Sequence, residues 1–319
     1  MVRKVESPFF KRIYNMDEYN HPHKYPLIDK PYIIDVELTN KCNLSCTFCD
    51  RQIMKREKGY MDFEVFKKMA DQSAEIGVIG LRFIRWGEPY LHPEVFDAIK
   101  YAKEKGLIVH ISSNGLLIDE EKAKKTIESG LDSIIFSMQG VDEKGYLEMR
   151  GNNKYGKDQY KKFVKNIEYL INLREKLNAN NPFVQVTTTT LDETDEQIQS
   201  WKDFWNKKVD LATHTGATSL YRVRNERKVK PFLERAKFWK REWLCNEVIK
   251  KLAINWNGDF TACANDYDNF LILGNIKNMS IKKAWDSKRL NEIREILKRN
   301  NEEEIKEKIP FCSYCRNRF

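Results

Sequence analysis

Cys42, Cys46 and Cys49 sit in one short run, Cys42-Asn43-Leu44-Ser45-Cys46-Thr47-Phe48-Cys49. Soft thiolates at this spacing suit iron–sulfur chemistry, and three of them can hold three irons of a cubane [4Fe–4S] cluster. The next cysteine along the chain is Cys245, so the fourth iron stays open to another ligand. An open iron points to chemistry rather than electron storage. The run differs from the paired CxxC of zinc sites and from the CxxCxxC of two-cluster ferredoxins. A structural zinc or a set of buried free thiols is the competing reading.

The other four of the seven cysteines, Cys245, Cys263, Cys312 and Cys315, form a second constellation toward the C-terminus. Four thiolates complete either a cubane with no open iron or a tetrahedral zinc ribbon. Cys245 and Cys263 flank a predicted hairpin, Lys250–Trp256 and Asp259–Thr261, joined by the turn-forming pair Asn257-Gly258. Cys312 and Cys315 close the chain as a CxxC after an amphipathic helix predicted from about Ser280 to Lys298.

Alternating strand and helix patterns precede this segment. The predicted strands are Tyr32–Leu38, Ile79–Ile84, Leu107–Ser112, Ser133–Met138, Val184–Leu191 and Val209–Thr213. Between them lie helical patterns at Asp62 to Ile76, Pro93–Lys105, Asp119–Ser129, Gln159–Leu177 and Glu193–Lys207, with Pro231–Trp243 a possible sixth. Six strands separated by helices predict parallel βα units, whose chemistry sits on loops at the carboxyl ends of the strands. The first strand runs straight into the cysteine loop.

With the cysteine run and its setting in view, the sequence resembles the radical S-adenosylmethionine (SAM) superfamily, in which an aromatic residue, here Phe48, precedes the last cysteine. The resemblance implies a partial (β/α)6 TIM barrel. It also implies that SAM chelates the open iron and is cleaved by one electron to a 5′-deoxyadenosyl radical that abstracts hydrogen from a substrate. Trp86-Gly87-Glu88-Pro89 resembles the family's GGEP motif with Trp86 in place of the first glycine, so Gly87 and Glu88 are expected at the SAM amino group. Ser112-Ser113-Asn114-Gly115 and Ser137-Met138-Gln139-Gly140 resemble the motifs that follow the third and fourth strands. They make Ser112, Asn114 and Ser137 candidates for the SAM ribose and carboxylate. Arg150 matches an arginine that pairs with the SAM carboxylate in the SPASM subgroup, as a planar guanidinium suits.

The C-terminal layout is similar to the twitch domain, a shortened SPASM domain holding one auxiliary [4Fe–4S] cluster. The likeness lies in the step from Gly258 to Cys263, in Gly274-Asn275-Ile276, in Trp285 and in the closing CxxC. It implies two [4Fe–4S] clusters in all, and it makes Asp266 and Asp268 candidate substrate contacts or bases, with Asp266 the candidate catalytic residue. The implied organisation is an extension over 1–31, a barrel over 32–230 and a twitch domain over 231–319.

Among the family's activities, oxidation of a small polar molecule such as a sugar or aminocyclitol fits best, as in twitch-domain dehydrogenases of 2-deoxy-scyllo-inosamine. Peptide or protein maturation of the SPASM type usually needs three clusters, which seven cysteines cannot supply, and often a leader-binding domain larger than the residues before the first strand. It remains an alternative, as does a radical epimerase.

The 319 residues carry a net charge of +9. Lysines and acids interleave along the chain, which describes a solvated surface and disfavours a nucleic-acid partner. An anionic substrate, or an acidic electron donor such as reduced flavodoxin or ferredoxin, suits the excess charge. No apolar run approaches the roughly 18 residues of a membrane span, and the start lacks the apolar stretch of a signal peptide. Cluster-ligating cysteines call for a reducing compartment, so a cytoplasmic enzyme is expected. His21 and His23 read as solvated loop histidines.

Overall fold

The computed structural model describes residues 2–20, 26–151, 154–190, 193–216 and 245–313. Cys315, His21, His23 and the Pro231–Trp243 helix pattern lie outside the described residues.

Six parallel strands, β1 (Ile33–Val36), β2 (Gly80–Phe83), β3 (Ile108–Ser113), β4 (Ser133–Ser137), β5 (Phe183–Thr190) and β6 (Leu211–Gly216), lie side by side in chain order. After a helical turn α1 (Asp17–Asn20), the helices α2 (Phe63–Glu75), α3 (Val95–Glu104), α4 (Glu120–Glu128), α6 (Gln159–Lys176) and α7 (Asp195–Asn206) alternate with the strands, as the periodicity predicts. The helix α5 (Glu143–Arg150) has no counterpart in the predicted elements. Local chemistry starts the helices where the sequence marks them. The Asp62 side chain accepts from the N–H groups of Glu64 and Val65 to begin α2, and Thr194 forms a capping box with Gln197 at α7.

The sheet stays open, and its β1 edge is extended by the C-terminal segment. After α8 (Asn246–Lys250), β7 (Lys251–Ile254) pairs parallel to β1 in the register Ile33↔Lys251 to Val36↔Ile254. The antiparallel strands β8 (Asp259–Thr261) and β9 (Ile272–Asn275) follow, giving one nine-stranded sheet. The hairpin therefore continues the barrel sheet and pairs its β1 edge. The helix predicted over Ser280–Lys298 is two helices, α9 (Ile281–Trp285) and α10 (Lys288–Arg299). The Ser287 hydroxyl accepts the Leu290 N–H and starts a new helix there. The segments α11 (Glu302–Lys308) and α12 (Pro310–Ser313) end the described chain.

Alternation along the strands separates two environments. Ile34, Val36, Leu81, Phe83, Val109, Ile111, Ile134, Phe136, Val184 and Val186 are buried in the main apolar core with the helices. The other face is polar. Asp35, Arg82, His110 and Ser133 follow one another in register across β1 to β4. Arg82 Nε and Nη2 donate to the Asp35 carboxylate at 2.6 and 2.7 Å. Burial pushes that carboxyl up, yet the charge and hydrogen bonds of Arg82 hold it below its ordinary value. One layer further along, Gln185 Nε2 donates to Thr213 Oγ1 at 2.7 Å, and Thr213 Oγ1 lies 3.2 Å from Thr187 Oγ1. At the opposite end, Phe9 and Ile13 of the N-terminal extension pack with Tyr32, Ile33 and Ile108 as a small separate core. They cover the amino ends of the strands and leave the carboxyl ends to carry the site.

Candidate active site

The loop after β1 is wound on itself and anchored to the end of α5. Cys49 N–H donates to the Cys46 carbonyl at 3.1 Å, and the Arg51 guanidinium donates to the Leu44 carbonyl. Thr47 N–H and its hydroxyl both reach the Met149 carbonyl at 3.1 Å. That contact brings Arg150 to the cysteines, where its Nη1 lies 3.4 Å from Cys46 Sγ. The Arg150 side chain is buried, and its Nε and Nη2 have no hydrogen-bond partner among the described residues. Asn114 Nδ2 lies 3.8 Å from Cys42 Sγ and donates to Asn43 Oδ1 at 2.8 Å. Burial pushes the Cys42 thiol up to about 12 and the Cys49 thiol up to about 11. Thiolates in this apolar loop therefore need a metal to hold them deprotonated. The donor set and the orphaned guanidinium nitrogens beside it fit a cluster bearing an anionic ligand. No three His, Cys, Asp or Glu side chains among the described residues converge on a single ion. A cubane instead spreads its thiolates over separate irons.

The loops after β2, β3 and β4 meet this one. A Cβ placed on Gly87 would sit 1.9 Å from the Thr39 carbonyl oxygen, so only glycine allows that close approach. The Glu88 N–H donates to the Lys41 carbonyl at 2.9 Å. Its carboxylate accepts Ser113 Oγ at 2.8 Å and the Asn114 N–H at 2.7 Å, so the side chain ties two loops together. Burial raises this carboxyl to about 7. Ser112 and Ser137 are half-buried at the ends of β3 and β4, and Phe48 is buried behind the cysteines.

On the C-terminal side, Cys263 and Cys312 are buried and Cys245, at the start of α8, is half-buried. Asn265 N–H points to Cys263 Sγ at 3.4 Å. The Asp266 carboxylate is fully buried and engaged by its own turn. It accepts Thr261 Oγ1 at 2.8 Å and the N–H groups of Phe270 and Leu271 at 2.9 Å. Asp268 accepts the N–H groups of Lys55 and Arg56 at 2.7 and 2.9 Å, clasping the loop beyond Cys49.

Three residues at this seam were not singled out from sequence. Glu37, at the end of β1, takes a bidentate hold from Arg56, whose Nε also donates to the Tyr267 carbonyl at 2.8 Å. Arg85 donates to the Asp266 carbonyl at 2.7 Å. An acid directly after the last apolar residue of β1 and an arginine beside a glycine motif are the available signals. Their partners lie too far along the chain to be paired by pattern.

The radical SAM superfamily model matches residues 36–204, just over half of the chain. The chain belongs to the radical SAM superfamily. A second model, the SPASM iron–sulfur cluster-binding domain, matches residues 245–316. The radical SAM domain binds a [4Fe–4S] cluster and SAM, and the SPASM domain binds further iron–sulfur chemistry.

Among curated relatives, the "Tungsten-containing aldehyde ferredoxin oxidoreductase cofactor-modifying protein" of Pyrococcus furiosus is 24% identical over 304 residues, covering 82% of this chain and 83% of the relative. The "PqqA peptide cyclase" of Gluconobacter oxydans is 32% identical over 38% of this chain, which spans only 34% of that relative. Among solved structures, Streptococcus suis SuiB bound to SAM matches with a TM-score of 0.64 at 17% identity, covering 87% of this chain and 71% of SuiB. BtrN in complex with AdoMet and 2-DOIA matches with a TM-score of 0.56 at 17% identity, covering 86% and 89%. These likenesses establish the fold. Within the described residues no helix is long and apolar enough to cross a membrane.

Proposed function

We propose that this radical SAM enzyme abstracts hydrogen from a small polar molecule of the sugar or aminocyclitol class and leaves it oxidised. When bound, the first cluster with SAM supplies hydrogen-atom abstraction, and the second supplies a one-electron sink. Cys42, Cys46 and Cys49 would hold the first cluster, with Cys245, Cys263, Cys312 and Cys315 holding the second. Arg150 would meet the SAM carboxylate with its two unpartnered nitrogens, while Asn114, Ser112 and Ser137 line the approach. Gly87 and Glu88 would hold the loops around the SAM amino group.

The observation that carries the substrate class is the polar face of β5 and β6, with Gln185, Thr187 and Thr213 hydrogen-bonded across it. Such groups bind hydroxyl-rich molecules and reject apolar ones left unpaired. The match to a cofactor-modifying relative over most of both chains also supports a small molecule. Net oxidation is supported by the cysteine count. All seven are assigned to clusters, so no thiol remains to return a hydrogen atom.

The alternative, a SPASM-type peptide or protein maturase, draws on the relatives named as peptide cyclases and on SuiB, solved with its precursor peptide SuiA. A cytoplasmic site and a reduced flavodoxin or ferredoxin as electron donor belong to the same proposal. The test is turnover of an aminocyclitol and sugar panel in deuterium oxide. The expected product has lost two hydrogens, with unlabelled 5′-deoxyadenosine formed one for one. Deuterium fixed at carbon in a product of unchanged oxidation state would point to an epimerase instead.

A further inference from the structure

Arg85 combines three costs in one residue. Its backbone lies at φ 100°, a region that side-chain-bearing residues adopt only when their surroundings over-determine it. Its side chain has no exposed surface. Its Nε and Nη1 have no hydrogen-bond partner among the described residues, and only Nη2 is engaged, with the Asp266 carbonyl at 2.7 Å. A buried guanidinium with unmet donors costs several kcal/mol unless an anion stands beside it.

Glu37 is an ion-pair partner of this guanidinium, but neither neighbouring carboxylate meets its unpaired donors with a hydrogen bond. Glu37 Oε2 lies 3.7 Å from Arg85 Nε, yet both oxygens of Glu37 are held by Arg56. Asp266 is consumed by Thr261, Phe270 and Leu271. What remains close is the Cys263 turn. Asp266 N–H donates to the Cys263 carbonyl at 3.1 Å, and Arg85 grips that same turn from the other side. Burial pushes the Arg85 guanidinium down, opposed first by Glu37 and then, more weakly, by Asp266 and Cys263. Trp86 shields the contact, with its Nε1 3.4 Å from the Asp266 carbonyl and its ring edge-on to Tyr267 at 6.0 Å.

We infer that Arg85 is a positioning residue for the second cluster: it fixes the Cys263 turn and places a buried positive charge against the cluster's net negative charge. This inference rests on the reading of Cys245, Cys263, Cys312 and Cys315 as ligands of that cluster. A fixed cation in a dry site favours the more negative, reduced state of the cluster and so raises its reduction potential. That makes the cluster a better acceptor of the electron released by substrate oxidation.

The experiment uses the full chain with Cys42, Cys46 and Cys49 all changed to alanine, which leaves the second cluster alone to be titrated. Its midpoint potential is followed by electron paramagnetic resonance with and without Arg85→Gln. The expected result is about four irons retained and a midpoint shifted to lower potential in R85Q, with R85K close to the parent. An unchanged midpoint in an iron-replete R85Q overturns the inference. Where R85Q does not retain iron, R85K decides. Iron retained at the parent's potential supports the charge role, and iron lost from R85K as well overturns it, leaving Arg85 a strut of the turn. A parent without iron contradicts the cluster reading itself, before Arg85 is tested.

Discussion

The Glu88 carboxylate accepts the backbone N–H of Asn114 across 2.7 Å, joining the loop after β2 to the loop after β3. The same carboxylate takes the Ser113 hydroxyl, so one buried side chain sets two of the loops proposed to hold SAM. It also accepts the Tyr90 N–H at 3.3 Å, so removing it strands three buried donors, at roughly 1–3 kcal/mol each. Glu88→Ala is therefore expected to weaken SAM binding about tenfold or more, with Glu88→Gln intermediate. Anaerobic equilibrium dialysis measures this, and unchanged affinity in E88A would show that the loops hold without the tie.

Asp266 provides a second test, because its carboxylate is engaged by Thr261, Phe270 and Leu271. Asp266→Asn puts an amide donor where an acceptor is needed, at about 1–3 kcal/mol per unmet group. The expected outcome is a lower Tm together with reduced iron in the C-terminal segment. Full iron content and unchanged Tm with turnover abolished would instead mark Asp266 as the catalytic base.

His110 predicts a pH dependence of stability. Its ring is buried against Phe9 and its Nδ1 lies 2.7 Å from Ser133 Oγ. Burial, reinforced by the charge of Arg82 and opposed by Asp35, holds its pKa down at about 3 against an ordinary 6.5. Between those values the unfolded chain binds a proton that the folded chain refuses. Stability is thus fully present above pH 6.5 and is lost as pH falls through that window. The slope approaches about 1.4 kcal/mol per pH unit. Urea midpoints from about pH 7.5 to about pH 5 should fall less steeply in His110→Gln than in the parent. Parallel profiles would remove His110 from the account.

Electron entry has a candidate surface. Lys154, Lys157, Lys161, Lys162 and Lys165 are exposed, and the ammonium groups of Lys154 and Lys162 lie 5.3 and 5.1 Å from the centre of the Tyr155 ring. The Tyr155 hydroxyl accepts Asn43 Nδ2 at 3.1 Å, inside the cysteine loop. Changing Lys154, Lys161 and Lys162 to glutamate should slow reduction by acidic flavodoxin about tenfold or more at low salt. Dithionite-driven SAM cleavage should be unaffected. Equal loss with both reductants would mean that the lysines support the fold rather than docking.

Much of the barrel was legible in the sequence because it is local. The six strands stand within three residues of their predicted bounds, and the caps Asp62, Asp119 and Thr194 sit where helices begin. The break at Ser287 was hidden because the apolar period runs through it, and only the serine cap resets the helix. The pairing of β1 with β7 and the reach of Arg85 to Asp266 join residues separated by most of the chain. No periodicity reports such contacts. The cysteines were visible as a pattern, whereas the guanidinium groups of Arg150 and Arg85 beside them emerge only from packing.

The proposed chemistry requires two clusters with different openness. Anaerobically reconstituted wild-type protein should hold about eight irons and cleave SAM under dithionite. With Cys42, Cys46 and Cys49 all changed to alanine, about four irons should remain and SAM cleavage should vanish. Wild-type protein holding about four irons and one zinc, or a triple variant that still cleaves SAM, would contradict it.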